Sequence, residues 1–205
     1  MTLRAPFRQR RSFFTVAAIL AIHPAALLAR PALREMQIHK VPELGLEIWV
    51  ENQPAWEAKL TDVSGHPTFV AQSPSTYHPP TVMTYASWRK LLVTPNMLPD
   101  VAASAIRQAS QYFELDPGRS RMLAIKPASH GALQGFETNF AGKAEGVAMD
   151  VKIFVGQAPG QFPVALTVYT LQGKMAHLEE CIRRGWGRLN YGEATRQRKN
   201  PPGIL

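Results

Sequence analysis

"TVMTYASWRKLLVTPNMLPDVAASAIRQASQYFEL", residues 81–115, changes its hydrophobic period part-way along. Its first eight residues alternate, with β-branched and aromatic side chains at a period of two, as a half-buried strand requires. Residues 98–115 then follow a helical period. Pro99 and Asp100 suit a first turn, and Val101, Ala105, Ile106, Ala109, Tyr112 and Phe113 make one apolar stripe. Asp116-Pro117-Gly118 closes the helix.

Strand signals extend outward on both sides. "LEIWV" (46–50) alternates, Pro54-Ala55 breaks it, and 56–60 is placed to pair back. A further strand falls at 68–71, followed by the stiff loop "PSTYHPP" (74–80). Beyond the helix, strand-like runs at 122–125, 133–140, 147–155 and 164–171 are separated by turns, among them "GKAEG" (142–146) and "QAPGQFP" (157–163). "MAHLEECIRRGWGRL" (175–189) reads as a closing helix with Leu178, Cys181, Ile182 and Trp186 near one face. Consecutive strands on short loops predict an antiparallel sheet, and helices after runs of strands predict an α+β domain packed by a central and a C-terminal helix.

The ends differ from the body. Arg4, Arg8, Arg10 and Arg11 precede an apolar run at 13–28, with no acidic residue before Glu35. That is the layout of an export signal, ending near Ala29. The run is short and is interrupted by His23-Pro24, which argues against a membrane span. "RRSFF" resembles the twin-arginine signature, and Arg30 and Arg34 fit that route. Leu27 is larger than the position three before a cleavage point prefers, so a leader retained as an anchor is the alternative to one removed. The expected organisation is a signal at 1–29, a linker at 30–42, one domain at 43–191 and a disordered basic tail at 192–205. The net charge of +8 sits at these ends: residues 30–173 hold 12 basic and 12 acidic side chains. A neutral body and an exported location argue against nucleic acid as a partner. Membrane contact is expected only through a retained leader.

Several local phrases resemble the PsbP/DcrB-like superfamily. They are the Gly45-to-Trp56 stretch, the "VALTVYT" strand within Gly160 to Lys174, and the closing "QGKMAHLEECIRRGWGRLNY", over about Leu44 to Tyr191. Gly187-Arg188 departs from the family's usual small polar residue before the last apolar pair. The family includes extrinsic photosystem subunits, envelope lipoproteins, Ran-binding proteins and chaperones of secreted effectors, and it has no common catalytic site. The resemblance implies a binding or accessory role and carries over no functional residue.

The residues themselves supply little chemistry. Cys181, the sole cysteine, excludes an internal disulfide and sits on an apolar stripe as a small core residue. His177, four residues earlier, would share its helical face. His39, His66, His78 and His130 have no zinc-ligand spacing. Ser129, His130, Glu137, Glu145 and Asp150 lack the G-x-S-x-G elbow of a hydrolase. No pattern calls for a cofactor, a metal or a catalytic residue. The better expectation is contact with another envelope or secreted protein of the periplasm through Tyr77, His78 and Trp88, where aromatic residues adjoin rigid loops. The alternatives are a periplasmic hydrolase or metal enzyme assembled from His66, His78 and His130, and a small-ligand carrier with a groove beneath the long helix.

Overall fold

A computed structural model describes residues 35–192 apart from Ser64 and Leu92. The leader, its export signature and the tail beyond Gly192 lie outside the described residues. The chain is α+β, as expected. Its strands are β1 (Met36–Val41), β2 (Leu46–Glu51), β3 (Glu57–Val63), β4 (His66–Gln72) and β5 (Thr81–Ser87), then β6 (Lys126–His130), β7 (Leu133–Ala144), β8 (Val147–Gln157), β9 (Val164–Leu171) and β10 (Asn190–Tyr191). The helices are α1 (Leu98–Gln111), α2 (Pro117–Arg121) and α3 (Glu179–Gly187), with a 3₁₀ turn at Met175–Leu178.

Every strand pair is antiparallel. Seven strands form a sheet in the order β3-β4-β5-β9-β8-β7-β6, and three form a smaller one, β1-β2-β10. The small sheet and α3 cover one face of the large sheet. Leu46, Ile48 and Val50 of β2 meet Phe69, Tyr85, Phe154 and Leu166 there, with Trp186 from α3. On the other face α1 lies over β7 and β8, setting Ala102 and Ile106 against Val151, Ile153 and Val155. All five are essentially buried. The helix therefore rests directly on the sheet, and the groove a ligand carrier would need beneath it is filled with side chains.

Four expectations are corrected. Residues 36–42 are not a linker: β1 pairs along β2, turning His39 and Val41 inward, with the His39 ring 5.3 Å from Phe69. The strand expected at 122–125 lies later, at β6. An edge position lets β6 accept Pro127, since among the described residues its only partner is β7. The central helix ends at Gln111; α2 then starts under its own cap, the Asp116 carboxylate accepting from the Arg119 amide at 2.9 Å. Tyr112, placed on the apolar stripe by sequence, points outward and is 60% exposed.

Candidate functional site

The expected contact residues occupy three different settings. Tyr77 was expected to be exposed and is buried, its ring 5.0 Å from Trp56 in an edge-to-face pair. The loop is polar at its tip, but an aromatic ring gains more by closing over the Trp56 indole than by standing in water. His78, next in sequence, is exposed. Trp88 is half-buried at the end of β5 and packs on the α1 side of the large sheet.

Trp88 marks the margin of an open sheet face. Strand alternation sends Val82, Thr84 and Ala86 to the side opposite Met83 and Tyr85. The register puts Thr84 between Val70 of β4 and Thr167 of β9. Val70, Val82, Thr84, Ala86 and Thr167 are half-buried, and the apolar ones among them belong to neither hydrophobic core. This is a flat surface of small, stiff side chains with Trp88 beside it.

The histidines do not converge. His66 opens β4 and His78 lies in the loop after its far end, on the order of 20 Å along the strand. His130 ends β6, five strand steps from β4, or roughly 24 Å. Among the described residues no group of three or more His, Cys, Asp or Glu could hold a metal ion. His177 is exposed in the 3₁₀ turn while Cys181 is buried, so they do not share a working face. Burial, then the negative charge of Glu51, pushes the Cys181 thiol up to about 12. It is inert as a nucleophile at neutral pH.

His130 instead joins a charged cluster at the opposite edge of the sheet. The β6–β7 hairpin places His130, Glu137 and their shared face toward α3. Gly135, between Leu133 and Glu137 on that face, has no side chain, so His130 and Glu137 can meet across it. His130 Nε2 lies 3.2 Å from a Glu137 carboxylate oxygen. Lys152 Nζ lies 3.1 Å from the same oxygen, and Lys126 Nζ is 3.7 Å from the other. The imidazole stands edge-on to Phe154 and Trp186, at 4.7 and 5.0 Å. Burial lowers the His130 pKa, outweighing the opposite pull of Glu137. Burial alone would raise the Glu137 carboxyl, but Lys152 and His130 together hold it below the usual value. A cleft of about 350 Å³ opens above the cluster, lined by Ser129, His130, Lys152, Glu179, Ile182 and Arg183. A carboxylate orienting a neutral imidazole is half of an acid–base device. Among the described residues no nucleophile is positioned beside it: Ser129 borders the cleft, but it precedes His130 in β6, so its side chain leaves the opposite face of the strand. Glu137 and His130 were visible in the sequence as separate candidates; the glycine gap that unites them was not.

No family model and no curated protein matches the chain. Among solved structures, a protein of Bacteroides thetaiotaomicron is similar over 76% of this chain, at 9% identity and a TM-score of 0.51. The likeness is one of fold. This chain spans 48% of that protein's length. Cyanobacterial PsbP from Synechocystis aligns over 82% of this chain and 99% of its own, at 9% identity and a TM-score of 0.48. LpqN of Mycobacterium tuberculosis, described as involved in cell envelope biogenesis, aligns over 71% and 82%, at 13% identity and a TM-score of 0.39.

Proposed function

We propose that the chain is an exported accessory protein of a bacterial cell envelope, acting by binding another protein rather than by a reaction of its own. The open face of β4, β5 and β9 beside Trp88 supports this reading. A sheet face of Val, Thr and Ala left half-exposed next to a tryptophan suits a partner that needs area and little reorganisation. PsbP/DcrB-like phrases in the sequence and the basic, then apolar, leader point the same way. Among the described residues no helix is long and apolar enough to cross a membrane, so an anchored form would depend on the leader.

The test is recovery of the full chain from the envelope of an expressing bacterium, with a C-terminal tag, beside a Thr84→Arg variant. Co-eluting proteins are identified by mass spectrometry and bound metal is assayed. A stoichiometric partner that the variant loses is the expected result. A partner-free protein carrying bound metal overturns the proposal.

A further inference from the structure

The cleft above His130 is not used by the binding reading. It lies on the α3 side of the large sheet, away from the open face of β4, β5 and β9 and from the filled space beneath α1. Four elements bring charge to it. β6 supplies Lys126 and His130, β7 supplies Glu137, β8 supplies Lys152, and α3 supplies Glu179 and Arg183. Glu180 is paired with Arg183. Three cations thus stand against three carboxylates, and the charges balance only while His130 is neutral. Protonating the imidazole leaves one positive charge without a counterpart.

The donors at the cleft are not all engaged. The Lys152 ammonium is 17% exposed, carries three N–H groups and has one partner among the described residues, Glu137. Arg183 donates from Nε and Nη2 to Glu180, which leaves the donors of Nη1. Lys152 and His130 meet on a single Glu137 oxygen, so the acceptor that these two groups already hold is a carboxylate. Ile182, on the same wall, adds an apolar contact.

We infer that the cleft is a proton-linked site for a small monocarboxylate, its oxygens held by Lys152, Arg183 and the protonated His130, with its apolar end toward Ile182. A single negative charge matches the single surplus that protonation creates. Burial and the Lys152 charge both disfavour the imidazolium. An incoming anion opposes them, so anion and proton favour one another's binding by the same factor. Binding is tightest below the pKa of the free imidazole, and the gain is lost as pH rises through the higher pKa of the occupied site. The inference stands apart from the protein-binding reading, because it concerns another face of the molecule and its test needs no partner.

The experiment titrates the full chain with sodium butyrate, against sodium chloride at equal ionic strength, and follows the histidine ring signals by NMR from about pH 5 to about pH 7.5. His130→Asn assigns the His130 signal. His66 and His78, both exposed, are the internal controls. We expect the His130 pKa to rise in butyrate and not in chloride, while His66 and His78 stay in place. Butyrate should bind about tenfold tighter at the acidic end of the range, and His130→Asn should abolish that dependence. Lys152→Met should weaken binding at the acidic end by about tenfold. Arg183→Ala, whose ion pair is exposed, leaves the fold intact and should weaken it by a smaller factor. A His130 pKa that is the same in butyrate and chloride, equal affinity across the pH range, control histidines that move with His130, or an Arg183→Ala variant that binds butyrate as the unaltered chain does overturns the inference.

Discussion

Two buried carboxylates flank α3, and they are held in different ways. Glu51, on β2, is sealed in: its side chain is 1% exposed and meets the Arg184 guanidinium at 2.5 Å. Glu137, on β7, has Lys126, His130 and Lys152 around it, and two of these, His130 and Lys152, line an open cleft. The first pair joins strand to helix across 133 residues, with its carboxylate shut off from water and its guanidinium also 3.4 Å from the exposed Glu180 carboxylate. The second can exchange its partners with solvent. A charge that cannot be rehydrated fixes structure; one at a cleft can be tuned by pH and by what enters.

The contrast is tested most severely at Arg184. Arg184→Met removes the guanidinium from the buried Glu51 carboxylate and should cost about 3–5 kcal/mol, read from urea unfolding at pH 7. A loss below about 1 kcal/mol, the range of exposed pairs, breaks the distinction. Gly131→Ala attacks the cleft side by geometry. Gly131 has a φ of 58°, and an added Cβ would run into the Gly187 carbonyl of α3. Strain and overlap together should cost about 3 kcal/mol.

Lys152→Met leaves Glu137 with Lys126 as its charged partner and the neutral His130 imidazole as a hydrogen-bond partner. The expected loss is about 1–2 kcal/mol, clearly less than at Arg184. The variant should also weaken acid sensitivity: the stability that Glu137 contributes is present above its unfolded-state pKa of 4.5 and disappears as pH falls through its lower folded value.

Acid titration of His130 is a smaller effect. Its folded pKa lies below 6.5, so the unfolded chain takes up the proton first as pH drops. Stability is then full above about pH 6.5 and declines below it, by no more than about 1.4 kcal/mol per pH unit. His130→Asn should flatten this part of the profile. His39 is also lowered by burial, so His39→Asn is needed to separate the two. Smallest of all is Arg183→Ala. Its ion pair with Glu180 is exposed, and thermal unfolding should not shift measurably.

Much of the fold was legible because burial follows period. In β5 the residues Thr81, Met83 and Tyr85 are buried and Val82, Thr84 and Ala86 are not, as alternation implies. Period fails where few residues carry it. β1 mixes Gln37, His39 and Lys40 with its apolar residues, so nothing in "MQIHKV" distinguishes an edge strand from a linker. β6, "KPASH", is polar and contains proline, while the apolar "MLAI" before it drew the strand assignment. The site was less legible still. Trp88 stands just past the end of β5, where the sequence ended its strand, but Tyr77 turned inward against Trp56, a partner 21 residues away that no local pattern reveals. Glu51 and Arg184 are farther apart again, and no local pattern relates them.

The contacts of α3 also set when the molecule can be completed. During synthesis β2 is made before α3, and its apolar face and terminal carboxylate await Trp186, Ile182 and Arg184. Arg184, which meets that carboxylate, is made 133 residues later. A chain broken off before Glu179 would present an open hydrophobic core, the kind of exposed surface that chaperones exist to manage. Docking of α3 thus separates a chain whose core is closed from one whose core is open.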